Sequence, residues 1–504
     1  MTTQSPALPP HEHRRAGGST ARRALRAQSR RDREVRAGLE GGRYRCLEDS
    51  ELEKIYRTAL EVLATIGMGN PTPELLAVAL PKGARLDTNG RVLFPTALIE
   101  DLIDGACREF THFAPNPAHD LHIGGRHVNF RTNGTAPGVL DYATRKVRRA
   151  TLLDVYDFAR LGDQLEHIHG FTQPVLATEH GDDPYVHDMN VLYALLSGCE
   201  KPLAMDVMPA SNVDHLVRML DLFLGEEGAF VKRPFVLFEG CPVVSPLRWG
   251  AENLAVMMRC AELGLPYDIA VAPQAGATAP AALAGTLVQV FAETLASLAV
   301  VNLVNPGVPF MMGHWPFISD LRTGAFTGGS GEQALVSAAI TQLCNHLGLP
   351  SSTAACMSDS KLPDDQAGYE KGITATLVAH AGCNYIAESF GMLGSLMACS
   401  YEAMVLDNNM IGNVMRTLRG IEVNDETLSL EEIRKTVFGA GHYLGSTGDA
   451  RAHGDRVPVP DARGSPVLRR MGAAGQPRCL RDGTRACPQA ARESLSGLHE
   501  HRRR

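Results

Sequence analysis

Met357-Ser-Asp-Ser-Lys-Leu-Pro-Asp-Asp-Gln-Ala-Gly-Tyr-Glu-Lys371 crowds Asp359, Lys361, Asp364, Asp365, Gln366, Glu370 and Lys371 into fifteen positions. The stretch before it, Ser351-Ser-Thr-Ala-Ala-Cys356, is small, apolar and β-prone, while Ile373-Thr-Ala-Thr-Leu-Val-Ala-His380 after it reads as a helix. Polar side chains massed where a strand hands over to a helix are how an α/β barrel builds a reaction site. The plainer alternative is a solvated strand-to-helix loop ending in a helix N-cap.

Working outward, the same unit recurs. Short apolar or β-branched runs predict strands at Val128–Asn133, Ile168–Gln173, Pro202–Val207, Phe235–Gly240, Tyr267–Pro273, Pro309–His314, Ser352–Met357 and Asn384–Ser389. Helical patterns fall between them, among them Pro184–Leu196, Asn212–Phe223, Ala251–Leu263, Ala281–Val300 and Gly331–Leu347. Successive strand starts lie 32 to 43 residues apart, the spacing of strand–helix units with full-length helices. Eight such units over 121–445 predict an α/β fold, a TIM (β/α)8 barrel. A doubly wound open sheet is the competing fold, but no Gly-x-Gly-x-x-Gly follows the first strand. Residues 41–120 carry helical patterns at Ser50–Ile66 and Pro95–Cys107, which predict an N-terminal helical layer over one end or side of the barrel.

Both ends differ in composition. Residues 1–40 hold nine arginines and almost no large apolar side chains, the signature of a disordered basic arm. From Ser446 to Arg504 there are 12 Arg, 8 Ala, 7 Gly and 5 Pro, with no Lys, Ile, Phe, Tyr, Trp or Asn. That tail has too little apolar surface to offset its ordering entropy and is expected to be disordered. Its bias toward residues with GC-rich codons suggests a frameshifted reading after about Gly445, which resequencing would test.

The chain as a whole is an ordinary globular one, 44% hydrophobic and 21% charged over 504 residues. A net charge of -7 argues against a nucleic-acid binder, which needs a basic face. Eleven scattered cysteines without a Cys-x-x-Cys pair point to a reducing, cytoplasmic setting. The most apolar run, Ala292–Val304, is punctuated by Glu293, Thr294, Ser297 and Asn302 and reads as a buried helix, so no membrane partner is expected.

In a barrel the C-terminal strand ends carry the chemistry. These are Gln173, Asp206, Glu239, Gln274, His314 with Trp315, Met357 through Lys361, and Glu388 with Phe390. Carboxylates and aromatic rings converge there with few cations, which favours a cationic ligand held by field and by cation–π attraction. Taken singly, an aromatic near a strand end is more often packing than ligand. No His-Glu-x-x-His occurs and His314 lacks a companion at metal-ligand spacing, so no metal is expected. Lys361 could form a Schiff base if burial lowered its pKa, or be a salt-bridged structural lysine.

The segment Asp359–Lys371 resembles the signature of the trimethylamine methyltransferase family. So do Leu283-Ala-Gly-Thr-Leu287, Asn305-Pro-Gly307, Asp320-Leu-Arg-Thr-Gly324, Leu406-Asp-Asn408 and Gly441-His-Tyr-Leu-Gly445, in order over about residues 45–445. The resemblance implies a TIM barrel that moves a methyl group from a methylated amine to Co(I) of a corrinoid protein. It implies no tightly bound cofactor, the corrinoid being carried by the partner; a homo-oligomer is expected. Archaeal trimethylamine enzymes of that family carry pyrrolysine where this chain has Met357. Met357 therefore implies the branch without pyrrolysine, whose members demethylate quaternary amines such as glycine betaine. On that basis Glu239, Glu388, Trp315 and Phe390, with Asp206 and His314 beside them, are expected to hold the ammonium. Asp359, Lys361, Asp365, Gln366 and Glu370 would shape the mouth for the corrinoid, Met357 would pack near the methyl group, and Arg322 or Lys361 would clamp a substrate carboxylate. The other classes left open are a Schiff-base lyase using Lys361 and a non-catalytic amine- or corrinoid-binding homologue.

Overall fold

The computed structural model describes residues 36–443 apart from 133, 180, 181 and 321; the expectations for the two tails fall on residues outside that range. Eight parallel strands form the centre: β1 (His127–Phe130), β2 (Phe171–Thr172), β3 (Leu203–Asp206), β4 (Val236–Gly240), β5 (Tyr267–Ile269), β6 (Phe310–His314), β7 (Ser351–Ala354) and β8 (Tyr385–Ala387). They pair in sequence from β2 to β8, and β8 returns to β1 through Tyr385↔Asn129 and Ile386↔Phe130. The cylinder closes between β1 and β2 by a parallel bridge, Arg131↔Gly170. Side chains finish that seam: the Thr132 hydroxyl donates to the Thr172 carbonyl at 2.6 Å and accepts from the Thr172 amide at 2.8 Å. The predicted barrel is the observed fold, and each predicted strand window overlaps an observed strand, two of which begin one residue earlier, at His127 and Ser351.

Each strand is followed by a helix: α1 (Leu152–Gln164), α2 (Pro184–Gly198), α3 (Ser211–Leu224), α4 (Ala251–Glu262), α5 (Leu283–Val304), α6 (Gly331–Leu347), α7 (Asp365–Ala381) and α8 (Tyr401–Arg419). Local chemistry sets their ends. Thr151 and Asp154 form a capping box on α1, Ser330 caps α6, and Asp364 caps α7 by accepting from the Ala367 amide at 3.0 Å. Gly225, Gly348 and Gly382 terminate α3, α6 and α7 in the left-handed region that favours glycine. The helical ring closes where Phe158 of α1 stacks on Tyr401 of α8, centroids 3.9 Å apart, with the Tyr401 hydroxyl donating to Asp154. α5 is the one described helix long and apolar enough to cross a membrane, yet 83% of its apolar window is buried against the protein's own helices.

The N-terminal region packs on two parts of this frame. Helices Asp49–Thr65 and Thr96–Asp104 lie against α5, where Tyr56 meets Phe291 edge-on at 6.4 Å. The hairpin Glu109–His112/Leu121–Gly124, where the sequence predicts helix-dominated structure, plugs the barrel floor instead. Its Leu121 and Ile123 pack with the inward Ala204, Leu237, Met311 and Tyr385. Apolar surface buried in that floor stabilises the barrel at roughly 25 cal/mol per Å2 removed from water. Residues 37–418 constitute this unit; residues 419–443 belong to a second, with one helix at Leu430–Val437.

Candidate active site

Above the floor the lumen turns polar within one strand repeat. In register, Asp206 of β3 lies beside Glu239 of β4, and Glu239 beside Asp268 of β5. Side chains two apart on a strand share a face, so the parity that sends Ala204 and Leu237 inward sends Asp206 and Glu239 inward as well. Arg131, just past β1, spans the lumen. Its Nη1 donates to Glu239 Oε2 at 2.5 Å and to Thr172 at 2.9 Å, and its Nη2 donates to Asp268 Oδ2 at 2.6 Å. The guanidinium lies over the Tyr385 ring at 4.9 Å. Ser352 completes the shell by donating to Asp268 Oδ1 at 2.7 Å. Apart from Asp206, all these groups are buried. A buried guanidinium is tolerable only with such compensation.

One carboxyl in this lumen has no such compensation. Glu388 follows β8, is fully enclosed, and neither of its oxygens accepts a hydrogen bond. Its backbone sits in the left-handed region at φ 61°, as does Cys356 after β7 at φ 64°. Residues in that region carry strain of about 1–3 kcal/mol and concentrate at functional sites. A side chain on Gly134 would collide with the Glu388 carboxylate, so only glycine leaves it room. Burial first, then Glu239, push the Glu388 carboxyl well above the usual range; Arg131 opposes the shift and Asp206 adds to it. Asp206, half-buried and bonded by the Thr135 hydroxyl at 3.1 Å, is pushed up to about 7 by burial and then Glu239. Asp268 is likewise pushed up to about 7 by burial, against the pull of Arg131. Glu239 Oε1, Gln173 Oε1 and Trp315 Nε1 are also buried without partners. Unbonded acceptors, with the Trp315 indole N–H as a donor among them, thus line a space in which both terminal nitrogens of the one guanidinium are already taken.

The rim is apolar. Met357, Phe317 and Ala354 form a buried cluster against which Ala272, Trp315, Phe326 and Leu396 pack, with Phe317 and Phe326 at 4.5 Å. The acidic signature beneath it is a brace. Glu370 Oε2 accepts from the Ser358 hydroxyl at 2.6 Å and the Asp359 amide at 2.9 Å, while its Oε1 accepts from Gln366 at 2.8 Å. Asp359 Oδ1 accepts from the Gly328 amide at 2.7 Å and the Ser395 hydroxyl at 2.6 Å. Three loops are thereby tied around Met357. Lys371 is buried and paired with Asp407 at 2.6 Å, tying α7 to α8.

The structure brings Asp206, Glu239 and Glu388 to one space, sets Met357 beside Trp315, and links Asp359, Gln366 and Glu370. It corrects other expectations. His314 turns outward, stacking on Phe291 of α5 and meeting Cys344 Sγ of α6 at 3.6 Å, because Gly313 is the inward residue of that pair. Burial lowers the His314 imidazole to about 3, so it is neutral. Arg322 is 90% exposed in a turn and held by Asp320 at 2.9 Å. Lys361 is exposed and donates to the Asp359 carbonyl, which removes the burial a Schiff-base lysine requires. Asp365 is exposed at the first turn of α7, and Phe390 is fully enclosed. Arg131, Asp268 and Gly134 went unread. A charged residue inside a predicted buried strand was the available signal for the first two.

Comparison with known proteins agrees with the sequence resemblance. The trimethylamine methyltransferase (MTTB) family profile matches residues 15–452. Trimethylamine methyltransferase MttB of Desulfitobacterium hafniense (strain DSM 10664 / DCB-2) is 30% identical over 410 residues, 81% of this chain and 82% of that one. Glycine betaine methyltransferase of Desulfitobacterium hafniense (strain Y51) is 29% identical over 402 residues, 80% and 83% of the two chains. Among solved structures, the Methanosarcina barkeri monomethylamine methyltransferase (MtmB) aligns over 84% of this chain and 97% of its own, at 12% identity and a TM-score of 0.45. The chain belongs to the trimethylamine methyltransferase family.

Proposed function

We propose that this protein transfers a methyl group from a quaternary (or protonated tertiary) methylated amine to a corrinoid protein. The observation that carries the reading is Glu388: a fully buried carboxyl with both oxygens unbonded, grouped with Asp206 and Glu239. Such a group is costly in an empty protein and becomes favourable when a cation enters. The ammonium would lie against these carboxylates, with the Trp315 ring and the Met357 side chain covering its methyl groups.

The corrinoid supplies a reduced cobalt nucleophile that accepts the methyl group. The rim fits a broad, mostly apolar face: Met397 and Tyr369 lie exposed beside the braced loops, and His314, which could have competed for the metal, is turned away. This chain's contribution is orientation and exclusion of water. The C–N bond breaks with its electron pair remaining on nitrogen, so a quaternary substrate leaves as a neutral tertiary amine and needs no acid. Well-oriented reactions of this kind gain about 7–11 kcal/mol in favourable intramolecular cases. We place the reaction in a reducing compartment, in keeping with the nine free cysteines among the described residues. The test is to mix the protein with cob(I)alamin and a panel of methylated amines and follow methylcobalamin absorbance. Glu239→Gln and Trp315→Ala should slow the reaction; unchanged rates in both would remove the ammonium pocket from this place.

A further inference from the structure

The charges around the lumen say more about the substrate than that it is cationic. A betaine needs two partners: an acidic or aromatic wall for its ammonium and a free donor, best a cation, for its carboxylate. Three described lysine or arginine side chains are buried. Lys371 is paired with Asp407 at 2.6 Å. Lys201 donates to the Gly162 and Leu165 carbonyls at 2.6 Å, at the end of α1. Arg131 faces the lumen, but its two terminal nitrogens are already held by Glu239, Asp268 and Thr172, leaving Nε as its unbonded donor. At the rim, Lys361 is exposed on the Asp359 carbonyl and Arg322 is taken up by Asp320. Facing the same space are the carboxyls of Asp206, Glu239, Asp268 and Glu388. Four acidic groups face one guanidinium, and Glu388, Asp206 and Asp268 hold their protons more readily than free carboxyls; an entering positive charge favours their ionised form, and a carboxylate opposes it.

Resting on the function proposed above, we infer that the site takes an organic cation carrying no carboxylate, a tetraalkylammonium or a choline-like alcohol, in preference to a betaine. Gln173 Oε1 and Glu239 Oε1, both unbonded acceptors, suit a substrate hydroxyl donor. A carboxylate brought to the same distance would meet like charge in a poorly screened space.

Titration calorimetry of the full-length protein with tetramethylammonium, choline and glycine betaine reads the preference. Methyl transfer from each to cob(I)alamin reads the reaction. The expected result is that both cations bind at least about tenfold more tightly than glycine betaine and yield methylcobalamin. Glu388→Gln should shrink that advantage, and Asp206→Asn provides a second variant at the same wall. Betaine binding as tightly as choline, with methylcobalamin formed, overturns the inference and leaves the methyl-transfer reading standing. No binding and no methylcobalamin from any of the three overturns both.

Discussion

Replacing Glu388 by glutamine should make the ligand-free protein more stable while removing much of its attraction for cations. A glutamate carboxyl ordinarily titrates near 4.5, and burial with Glu239 beside it holds the Glu388 carboxyl well above that. Above pH 4.5 the unfolded chain gives up this proton and the folded chain keeps it. The native state is therefore the one that binds more protons, and its stability falls as pH rises. While the two states differ by this one proton, the slope is at most about 1.4 kcal/mol per pH unit. Glutamine has nearly the same shape and cannot ionise, so the variant escapes this loss. Neither Glu388 oxygen accepts a hydrogen bond, so the substitution strands no donor. Urea unfolding followed by circular dichroism at pH 5, 6 and 7 should show the variant's advantage widening as pH rises. In a second arm, choline or tetramethylammonium at a hundred times its Kd should stabilise the wild type by about 2.7 kcal/mol and the variant far less. A variant less stable than wild type at pH 7, or an advantage that does not change with pH, refutes an uncompensated carboxyl at this position.

The same carboxyls make cation binding pH-dependent. Asp206, pushed up to about 7, must lose its proton to attract an ammonium, so affinity should rise between pH 6 and pH 8; calorimetry in buffers of different ionisation heat should register proton release, and a flat profile counts against the assignment. Arg131→Met strands Glu239 and Asp268 and should cost about 3–5 kcal/mol, most of it recovered when Glu239→Leu and Asp268→Leu are added; unfolding midpoints that do not separate the single from the triple variant contradict this. Glu370→Ala leaves the Ser358 hydroxyl and the Asp359 amide unsatisfied, at about 1–3 kcal/mol. Because the braced loops then loosen around Met357, methyl transfer should slow while cation affinity stays nearly constant. Lys361→Ala should change stability by less than about 0.5 kcal/mol, and borohydride with a carbonyl substrate should label neither protein.

The barrel was legible because eight short apolar runs with full helices between them admit few other architectures, and every window overlaps its strand. What the runs could not disclose was parity. Strands buried on both faces carry no polar–apolar alternation to say which side faces the lumen. Pro309–His314 therefore offered His314 as readily as Gly313, and only the crowding of Gly313 against Ile269 and Asp268 sends the glycine inward. The floor hairpin was missed for a related reason: Glu109, Thr111 and His112 look solvated, although His112 is buried and bonded to the Leu203 carbonyl at 3.0 Å. The acidic signature was conspicuous because its polar groups are close in sequence, whereas Arg131, Glu239 and Asp268 meet only through the fold.

That contrast bears on how the site divides its work. Asp359, Gln366 and Glu370 find their hydrogen bonds within the protein, so they hold loops and have little capacity left for a ligand. Glu388, Glu239 Oε1 and Gln173 Oε1 do not, and each unbonded acceptor is a standing cost in the empty barrel. Two backbone positions in the left-handed region, Cys356 and Glu388, add to that cost at the ends of adjacent strands. A protein kept folded by its floor, its Arg131 layer and its helical ring can carry these deficits. The ligand that removes most of them at once carries a permanent positive charge and, as a quaternary nitrogen, no proton to lose among raised carboxyls.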